Sequence, residues 1–313
     1  MKLLISRALP DSVMEVAAQH FDVTCRDTTQ PMSLAECQAA LAEADLILPT
    51  LADAFAAEAF TGPIRARGLA NFGVGYNHID VAAARAAGLV VTNTPGAVTD
   101  ATADTAMTLI LMTARRAGEG ERLVRAGGWQ GWHPTQMLGL HVTGKTVGIL
   151  GMGRIGQAIA QRCHDGFGMD VVFWNRSPKN ALGTQLNSVA EVCAAADIVV
   201  LAVAATPETR HLMNADTLAS MRPDAILVNI ARGDVVDEAA LIAALQSGQI
   251  AGAGLDVYER EPHVPDALKA LENVTLLPHL GTATLEVREA MGRMALDNAI
   301  AIAEGRTPPN PVP

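Results

Sequence analysis

The sequence predicts an α/β protein built from two doubly wound parallel-sheet domains. Short apolar runs alternate with alanine-rich helical stretches along the chain, and runs this apolar suit parallel strands covered by helices on both faces. The length of 313 residues fits two domains of roughly 150 residues each. Half of the residues are apolar, so a sizeable core can form without disulfides or a metal.

Eight apolar runs are the predicted strands, and a ninth strand is expected near Gly254-Leu255. The eight runs cover residues 3–6, 46–49, 89–92, 146–150, 171–174, 198–203, 226–230 and 274–277. Long helical stretches are predicted at 100–127 and 285–304. This alternation of strand and helix is the pattern of a doubly wound sheet.

Two domain boundaries follow from this order of elements. The first falls near Pro95-Gly96, where a strand ends and a long helix begins, and the second falls after Pro278-His279. The proline-rich tail 307–313 cannot continue a helix, and we expect it to lie extended on the surface.

Charge and cysteine content exclude several classes of function. The formal net charge of −10 repels nucleic acid and acidic membrane surfaces, so neither is a predicted partner. The four cysteines form no CxxC pair and have no histidine at ligand spacing, which predicts reduced thiols and no metal site. The N-terminal apolar run is too short for a signal peptide, and no run reaches the roughly 18 apolar residues of a membrane span. We therefore expect a cytoplasmic protein.

A glycine-rich turn marks the sharpest local motif. Gly151, Gly153 and Gly156 follow the predicted strand 146–150 and open a helical stretch at Arg154-Ile155. Three glycines at this spacing also occur in plain tight turns, but a preceding strand and a following helix are the context of a Rossmann-like dinucleotide site. There the first glycine permits the turn, the second lets a pyrophosphate approach and the third allows close helix packing.

The end of the next strand predicts which dinucleotide binds. An NAD site usually carries an acidic residue there, which accepts hydrogen bonds from the adenine ribose. This chain has Asn175-Arg176-Ser177 instead, which offers a cation and a hydroxyl to a 2′-phosphate and no carboxylate to repel it. We expect NADP (NADPH) to be preferred. The alternative is that Arg176 is a solvated residue and NAD is the cofactor.

Several further blocks resemble one family, the D-isomer-specific 2-hydroxyacid dehydrogenases. The blocks cover residues 73–80, 93–96, 144–149, 228–233, 255–262 and 278–284. Trp132-His133-Pro134 ahead of Leu138-Gly139, together with Asn175-Arg176-Ser177, is similar to the glyoxylate/hydroxypyruvate reductase branch. The resemblance implies reduction of a small 2-keto acid (glyoxylate, hydroxypyruvate or similar) to the D-2-hydroxy acid. It also implies a substrate-binding domain at 1–97 and 284–313, a dinucleotide-binding domain at 98–283, and a homodimer.

Reduction of a carbonyl by hydride needs a clamp for the substrate carboxylate and a proton donor for the forming alkoxide. Arg232 comes just after the strand 226–230, where ligands bind in open α/β sheets, and its planar fork can hold two oxygens. We predict that Arg232 is the clamp. The alternative is a surface ion pair between Arg232 and Asp234.

The predicted proton donor is His279, which follows the strand 274–277 and has the ordinary side chain for this proton transfer. Glu261, within the family motif, is expected to orient the ring and favour its protonated form. His78, inside the loop 73–80, is the second candidate for the acid. It ranks below His279 because no strand end or paired carboxylate lies behind it.

The resemblance to the D-isomer-specific 2-hydroxyacid dehydrogenases implies the roles of the remaining site residues. Leu51 and the backbone N–H groups of Val74 and Gly75 are expected to bind substrate, with Arg232 and His279. The expected cofactor contacts beyond the glycine turn and the 175–177 segment are Ala204, Thr206, Ile230, Ala231, Arg232, Asp256, His279 and Gly281.

Two other functions fit the same motifs, and one segment of the chain bears on assembly. The chain could be another enzyme on this scaffold, such as a formate or phosphite dehydrogenase, or a dinucleotide-sensing corepressor that keeps the same motifs. Trp129 and Trp132 lie in a glycine-rich connection without helical or strand period, and we predict that this arm contacts the partner of a homodimer. The alternative is that these tryptophans cap the core of their own chain.

Overall fold

The computed structural model describes all 313 residues, which form twelve strands and eleven α-helices. The strands are β1 Lys2–Ile5, β2 Asp22–Cys25, β3 Leu46–Leu48, β4 Gly68–Ala70, β5 Val90–Thr92, β6 Thr146–Leu150, β7 Asp170–Trp174, β8 Thr184–Gln185, β9 Ile198–Leu201, β10 Ile226–Asn229, β11 Gly252–Leu255 and β12 Val274–Leu276. The helices are α1 Asp11–His20, α2 Leu34–Glu43, α3 Val81–Ala86, α4 Thr99–Ala114, α5 Ala117–Arg125, α6 Arg154–Phe167, α7 Val189–Ala195, α8 Ala215–Ala219, α9 Glu238–Gln246, α10 Asp266–Lys269 and α11 Leu285–Ala303.

The chain divides into two compact units. The first comprises residues 1–98 and 282–313, and the second comprises residues 99–281. Every strand in both sheets pairs in parallel, which confirms the predicted fold class. None of the helices combines the length and the apolar character needed to cross a membrane.

The first unit contains a five-stranded sheet in the order β2-β1-β3-β4-β5. α11 packs closely over β4 because residue 68 is glycine: a Cβ there would lie 2.9 Å from the side chain of Ile302. The C-terminal tail is extended, as predicted, and Pro311 bridges Thr92 on the edge strand β5. It does not lie wholly on the surface, since Val312 donates its N–H to Val91 at 2.9 Å and is buried in the core.

The second unit contains a seven-stranded sheet in the order β12-β11-β10-β9-β6-β7-β8. Helices cover both of its faces, as β9 shows: Ile198 and Val200 point into one apolar core, and Val199 and Leu201 point into the other. The chain runs outward from β6 to β8 and then continues on the other side of β6 with β9. The carboxyl ends of β6 and β9 therefore flank a topological switch point, where ligands bind in open α/β sheets.

Three features of the fold differ from the predictions. The strands β2, β4 and β8 were not predicted, because β2 is polar and half-exposed, β4 is only Gly-Leu-Ala and β8 is only Thr-Gln. The helical stretch 100–127 is two helices, α4 and α5, since the backbone turns at Arg116 with φ of 52°. The third is the burial of Val312 within the tail.

Candidate active site

The glycine turn after β6 has the geometry of a dinucleotide cradle. At Gly151, with φ of 100°, a Cβ would lie 2.7 Å from the backbone of Ala202, and at Gly156 it would lie 2.1 Å from the carbonyl oxygen of Gly151. A Cβ at Gly153 would meet nothing within 4 Å, so this residue borders open space. No side chain caps the N-terminus of α6 at Gly153. Free N–H groups beside open space fit a pyrophosphate.

The segment after β7 presents its charged and hydroxyl side chains outward. The Oδ1 of Asn175 accepts the N–H of Met152 at 3.3 Å, and its Nδ2 donates to the carbonyl oxygen of Ser177 at 2.9 Å. Arg176 and Ser177 are exposed. A neutral amide thus holds the place where an acidic residue would face the ribose, and the adjacent cation stays available.

The loop after β9 carries two of the predicted cofactor residues. Thr209 ties this loop together, since its hydroxyl donates to the carbonyl oxygen of Ala204 at 2.7 Å and accepts the N–H of Thr206 at 2.8 Å. Ala204 and Thr206 therefore sit on a fixed turn at the carboxyl end of β9, on the side of the switch point opposite the 175–177 segment.

His279 and Glu261 form the hydrogen-bonded pair that the sequence predicts. Nδ1 of His279 donates to Oε2 of Glu261 at 2.8 Å, and each side chain is 27% exposed. The other carboxylate oxygen accepts the N–H of Tyr258 at 3.0 Å. Because an ionised carboxylate only accepts, the Nδ1 proton is fixed there. Nε2 makes no hydrogen bond within the chain, which leaves it for a substrate.

The ionisation of Glu261 reflects opposing effects. Burial alone would raise the pKa of Glu261, but the hydrogen bond from His279, the charge of His279, the N–H of Tyr258 and the charge of Arg232 together hold the pKa below its usual value. Glu261 is therefore a carboxylate throughout the neutral range. A fixed negative charge behind the ring stabilises the imidazolium that a proton donor needs.

Asp256 holds the backbone on which His279 sits. Its carbonyl oxygen accepts the N–H of His279 at 2.9 Å, and its two carboxylate oxygens accept the N–H groups of Leu280 at 2.6 Å and Gly281 at 2.8 Å. His279 has φ of 56°, a conformation that a non-glycine residue adopts at a cost. Burial raises the pKa of Asp256 although the two N–H groups oppose it. Besides the cofactor role expected from the sequence, both oxygens of Asp256 support the histidine loop.

Arg232 is a half-buried cation with unused hydrogen-bonding capacity. Its Nη1 donates to the carbonyl oxygen of Ala231 at 2.7 Å, while its buried Nε has no partner. Burial lowers the pKa of Arg232, and the charges of Glu261 and Asp234 oppose this. Asp234 acts on Arg232 through its charge but forms no ion pair with it, so the surface-pair alternative is wrong. A half-buried guanidinium whose Nε has no hydrogen-bond acceptor is well suited to bind an anion.

Two neighbouring contacts fix the Arg232 loop. Asn229 on β10 donates to the carbonyl oxygen of Arg232 at 2.8 Å and accepts the N–H of Ala231 at 3.0 Å. Gly233 packs against the Tyr258–Glu259 peptide so closely that a Cβ would lie 1.8 Å from the carbonyl carbon of Tyr258. The arginine loop and the glutamate loop are thus in direct contact, which brings the predicted catalytic three onto one edge of this sheet.

In the first unit, the loop after β4 exposes its N–H groups. Nδ2 of Asn71 donates to the carbonyl oxygens of Gly73 at 3.1 Å and Gly75 at 3.0 Å, and Asn93 donates to that of Val74 at 2.9 Å. All three carbonyls are occupied, while the N–H groups of Val74 and Gly75 have no acceptor within the chain. Adjacent free N–H groups of this kind form an anion-binding nest.

His78 has a supporting position in the same unit. Its Nε2 donates to Oδ1 of Asn71 at 3.0 Å, which orients the amide that binds the loop carbonyls. This contact explains its place in the loop without a proton-transfer role. Asn71 was not identified from the sequence, since a buried asparagine next to a strand carries no motif of its own.

The Leu51 loop follows β3, the strand next to β4. Asp53 holds this loop: its carboxylate accepts the N–H of Thr50 at 3.0 Å and that of Met32 at 3.0 Å, and pairs with Arg7 at 2.9 Å. Leu51 is half-buried at the turn. The predicted substrate residues of the first unit therefore lie on adjacent loops at the same sheet edge.

The tryptophan arm does not cap its own core. Trp132 is 79% exposed and Trp129 is 54% exposed, and Leu138 further along the arm is also exposed. The structure thus excludes the capping alternative for Trp132 within this chain.

Comparison with known proteins gives consistent matches. Residues 107–281 match the family model "D-isomer specific 2-hydroxyacid dehydrogenase, NAD binding domain". A glyoxylate reductase of Thermococcus kodakarensis is 44% identical over 98% of this chain and 95% of its own length, and one of Pyrococcus furiosus is 43% identical over 98% and 94%.

Solved structures agree with these sequence matches. A Thermus thermophilus protein superposes with a TM-score of 0.94 at 41% identity, covering 100% of both chains. An NADPH-dependent glyoxylate/hydroxypyruvate reductase of Sinorhizobium meliloti, solved with NADP and malonate, has a TM-score of 0.90 at 36% identity and covers 99% of this chain and 96% of its own.

Proposed function

Because this chain belongs to the D-isomer specific 2-hydroxyacid dehydrogenase family, it is an oxidoreductase that uses a nicotinamide dinucleotide, and we propose that it reduces glyoxylate, hydroxypyruvate or a similar 2-keto acid to the D-2-hydroxy acid. The observation that carries the proposal is the hydrogen bond of 2.8 Å between His279 and Glu261, close enough to Arg232 for its charge to act on Glu261. A proton donor and an anion clamp on adjacent loops are the two groups that carbonyl reduction requires of the protein.

Arg232 is the proposed clamp for the substrate carboxylate and carbonyl oxygen. Its unpartnered Nε and the free edge of its guanidinium offer donors in one plane, which lysine would not reproduce. In the first unit, the free N–H groups of Val74 and Gly75 are proposed to bind substrate, with Leu51 limiting the space for the substrate side chain. The first unit is thus the proposed substrate-binding unit.

His279 is the proposed general acid. When bound, the reduced nicotinamide supplies the hydride. Nε2 of His279 gives its proton to the carbonyl oxygen, and Glu261 holds the ring in position and stabilises the imidazolium before the transfer. Asp256 keeps the histidine backbone in its left-handed conformation through the N–H groups of Leu280 and Gly281. D-stereochemistry is proposed on the family membership alone.

The second unit is the proposed dinucleotide-binding unit, with NADPH preferred over NADH. Gly151, Gly153 and Gly156, with the N–H groups of Arg154 and Ile155, suit the pyrophosphate. Arg176 and Ser177 suit a 2′-phosphate. The residues proposed to line the rest of the dinucleotide are Asn175, Ala204, Thr206, Ile230, Ala231, Asp256 and Gly281.

We also propose a homodimer in which the arm around Trp129 and Trp132 contacts the partner. Large exposed tryptophans are typical anchors of protein interfaces. Analytical ultracentrifugation at micromolar concentration tests this, and a monomer there would contradict it.

Steady-state kinetics with glyoxylate test the main proposal. We expect turnover with NADPH, with kcat/KM higher than for NADH. Tight NADPH binding without turnover of any 2-keto acid would instead support a dinucleotide sensor. Equal or better use of NADH would contradict the cofactor preference and leave the reaction standing.

A further inference from the structure

The side chain of Gln185, on strand β8, holds the 175–179 loop in place through hydrogen bonds. Gln185 lies on β8, opposite Phe173 on β7. Its Nε2 donates to the carbonyl oxygens of Asn175 and Ser177, each at 3.2 Å, and its Oε1 accepts the N–H of Lys179 at 2.9 Å. A single amide therefore joins the beginning, the middle and the end of the loop.

The approach of Gln185 to this loop depends on the close pairing of β8 with β7. Gly183, just before β8, has φ of 96°, and a Cβ there would lie 2.4 Å from the carbonyl oxygen of Val171. Only glycine fits this position without strain. The register of β8, and with it the position of Gln185, is thus fixed by the packing of two strands rather than by the loop itself.

The same loop is joined to the pyrophosphate cradle. Oδ1 of Asn175 accepts the N–H of Met152 in the glycine turn, and Nδ2 of Asn175 donates to the carbonyl oxygen of Ser177. One backbone polar group at each of positions 175, 177 and 179 is therefore used internally, while the side chains of Arg176, Ser177 and Lys179 remain exposed. The loop has a fixed backbone and an open, cationic outer surface.

We infer that Gln185 is a positioning residue that makes this loop selective for an adenosine 2′-phosphate; the inference rests on the proposed preference for NADPH. A loop that is ordered before binding loses less conformational freedom when the ligand arrives, so its contacts contribute more of their energy to affinity. The neutral amide also suits an anion site. A carboxylate at this position could accept from Lys179 but could not donate to the two carbonyl groups, and it would repel a phosphate.

Binding of two small probes tests the inference without catalysis. Isothermal titration calorimetry with adenosine 2′,5′-bisphosphate and with AMP separates the 2′-phosphate from the rest of the adenosine site. We expect the unmodified protein to bind the bisphosphate more tightly than AMP. Gln185→Met, which keeps the length and removes the hydrogen bonds, should weaken the bisphosphate about tenfold, equivalent to about 1.4 kcal/mol, and change AMP affinity less than about twofold.

Two further variants, Gln185→Glu and a matched control, are measured in the same binding experiment. Gln185→Glu should weaken the bisphosphate more than Gln185→Met does, and it provides a second variant if the methionine variant does not fold, as judged by circular dichroism. The control is Gln38→Met in the first unit, where Nε2 of Gln38 donates to Glu58 at 3.0 Å. That change removes a similar hydrogen bond far along the chain and should leave the affinity for both probes unchanged.

Hydrogen exchange of the Lys179 amide provides a second, ligand-free readout. This N–H should exchange at least about tenfold faster in Gln185→Met than in the unmodified protein, because its acceptor is gone. If the unmodified protein discriminates between the probes and Gln185→Met discriminates equally well, the inference is overturned and the NADPH preference stands. If the unmodified protein binds both probes equally, the proposed preference for NADPH is wrong. The inference about Gln185 is then wrong as well, whatever the exchange rate of the Lys179 amide.

Discussion

Replacing Glu261 by glutamine should move the alkaline limit of the reduction to lower pH. The change preserves shape but removes the negative charge behind His279. Without that charge the positive charge on a protonated ring is less stabilised, so we expect keto-acid reduction to fall off at a lower pH than in the unmodified protein. The amide also cannot accept from both partners of the carboxylate, the His279 ring at 2.8 Å and the Tyr258 N–H at 3.0 Å.

The geometry sets the size of this shift. With charge centres about 4 Å apart and an effective dielectric constant of about 20, the attraction is about 4 kcal/mol. The pair is 27% exposed on each side, so solvent screening lowers this value. Taking about one third to two thirds of it leaves about 1.3 to 2.7 kcal/mol of interaction, so we expect a downward shift of the alkaline limit that a pH profile resolves.

The assay is the pH dependence of kcat/KM for keto-acid reduction between about pH 5 and pH 10, since that parameter reports ionisations of the free enzyme. Glu259→Gln is the matched control, because Glu259 lies on the same loop and pairs with a different histidine, His211, at 2.7 Å. Its alkaline limit should not move. An unchanged limit in Glu261→Gln, with the fold intact, would remove Glu261 from the proton-transfer step.

Four further substitutions test separate parts of the account. His279→Ala should lower kcat by about 10²- to 10⁴-fold, measured where chemistry limits turnover; near-normal kcat would mean that the proton comes from elsewhere. Arg232→Lys keeps the charge and loses the fork, so kcat/KM for the keto acid should fall at least about tenfold, and an unchanged kcat/KM would show that planar recognition is not used. Arg176→Ala should lower kcat/KM for NADPH about 10- to 150-fold and spare NADH, and equal losses with both would place Arg176 outside the 2′-phosphate site. Gly233→Ala should destabilise the protein by about 3 kcal/mol or more in urea unfolding, since its Cβ would lie 1.8 Å from Tyr258, whereas unaltered stability would show that the two loops are free to separate.

The sequence predicts the parts of the fold that are buried on both faces. β9 and β10 are continuous apolar runs because helices cover both sides of the sheet, and β6 is marked by the glycine turn that ends it. β2 is not predicted because its residues are half-exposed and include Asp22 and Thr24. β4 is missed because glycine and alanine have low strand propensity, and β8 because it is only two polar residues. Arg116 ends α4 in a left-handed conformation that no glycine or proline announces.

The residues of the candidate site likewise fall into those that the sequence identifies and those that it misses. Residues with a chemical role at a strand end, such as Arg232 and His279, can be identified because the carboxyl edge of a parallel sheet collects them. The residues that hold them in place cannot, since Asn71, Asn229 and Gln185 act through backbone groups that are close only in the folded chain. Asp256 illustrates the difference: its motif predicts a cofactor contact, but only the folded chain reveals that it also fixes the histidine loop.

The most direct test of the account is the product formed from hydroxypyruvate and NADPH, resolved by chiral chromatography. The protein should oxidise NADPH and form glycerate in equal amounts, and the glycerate should be the D isomer. The same incubation with His279→Ala should form it at least about a hundred times more slowly. Formation of L-glycerate, or oxidation of NADPH without glycerate, would contradict the proposed reaction.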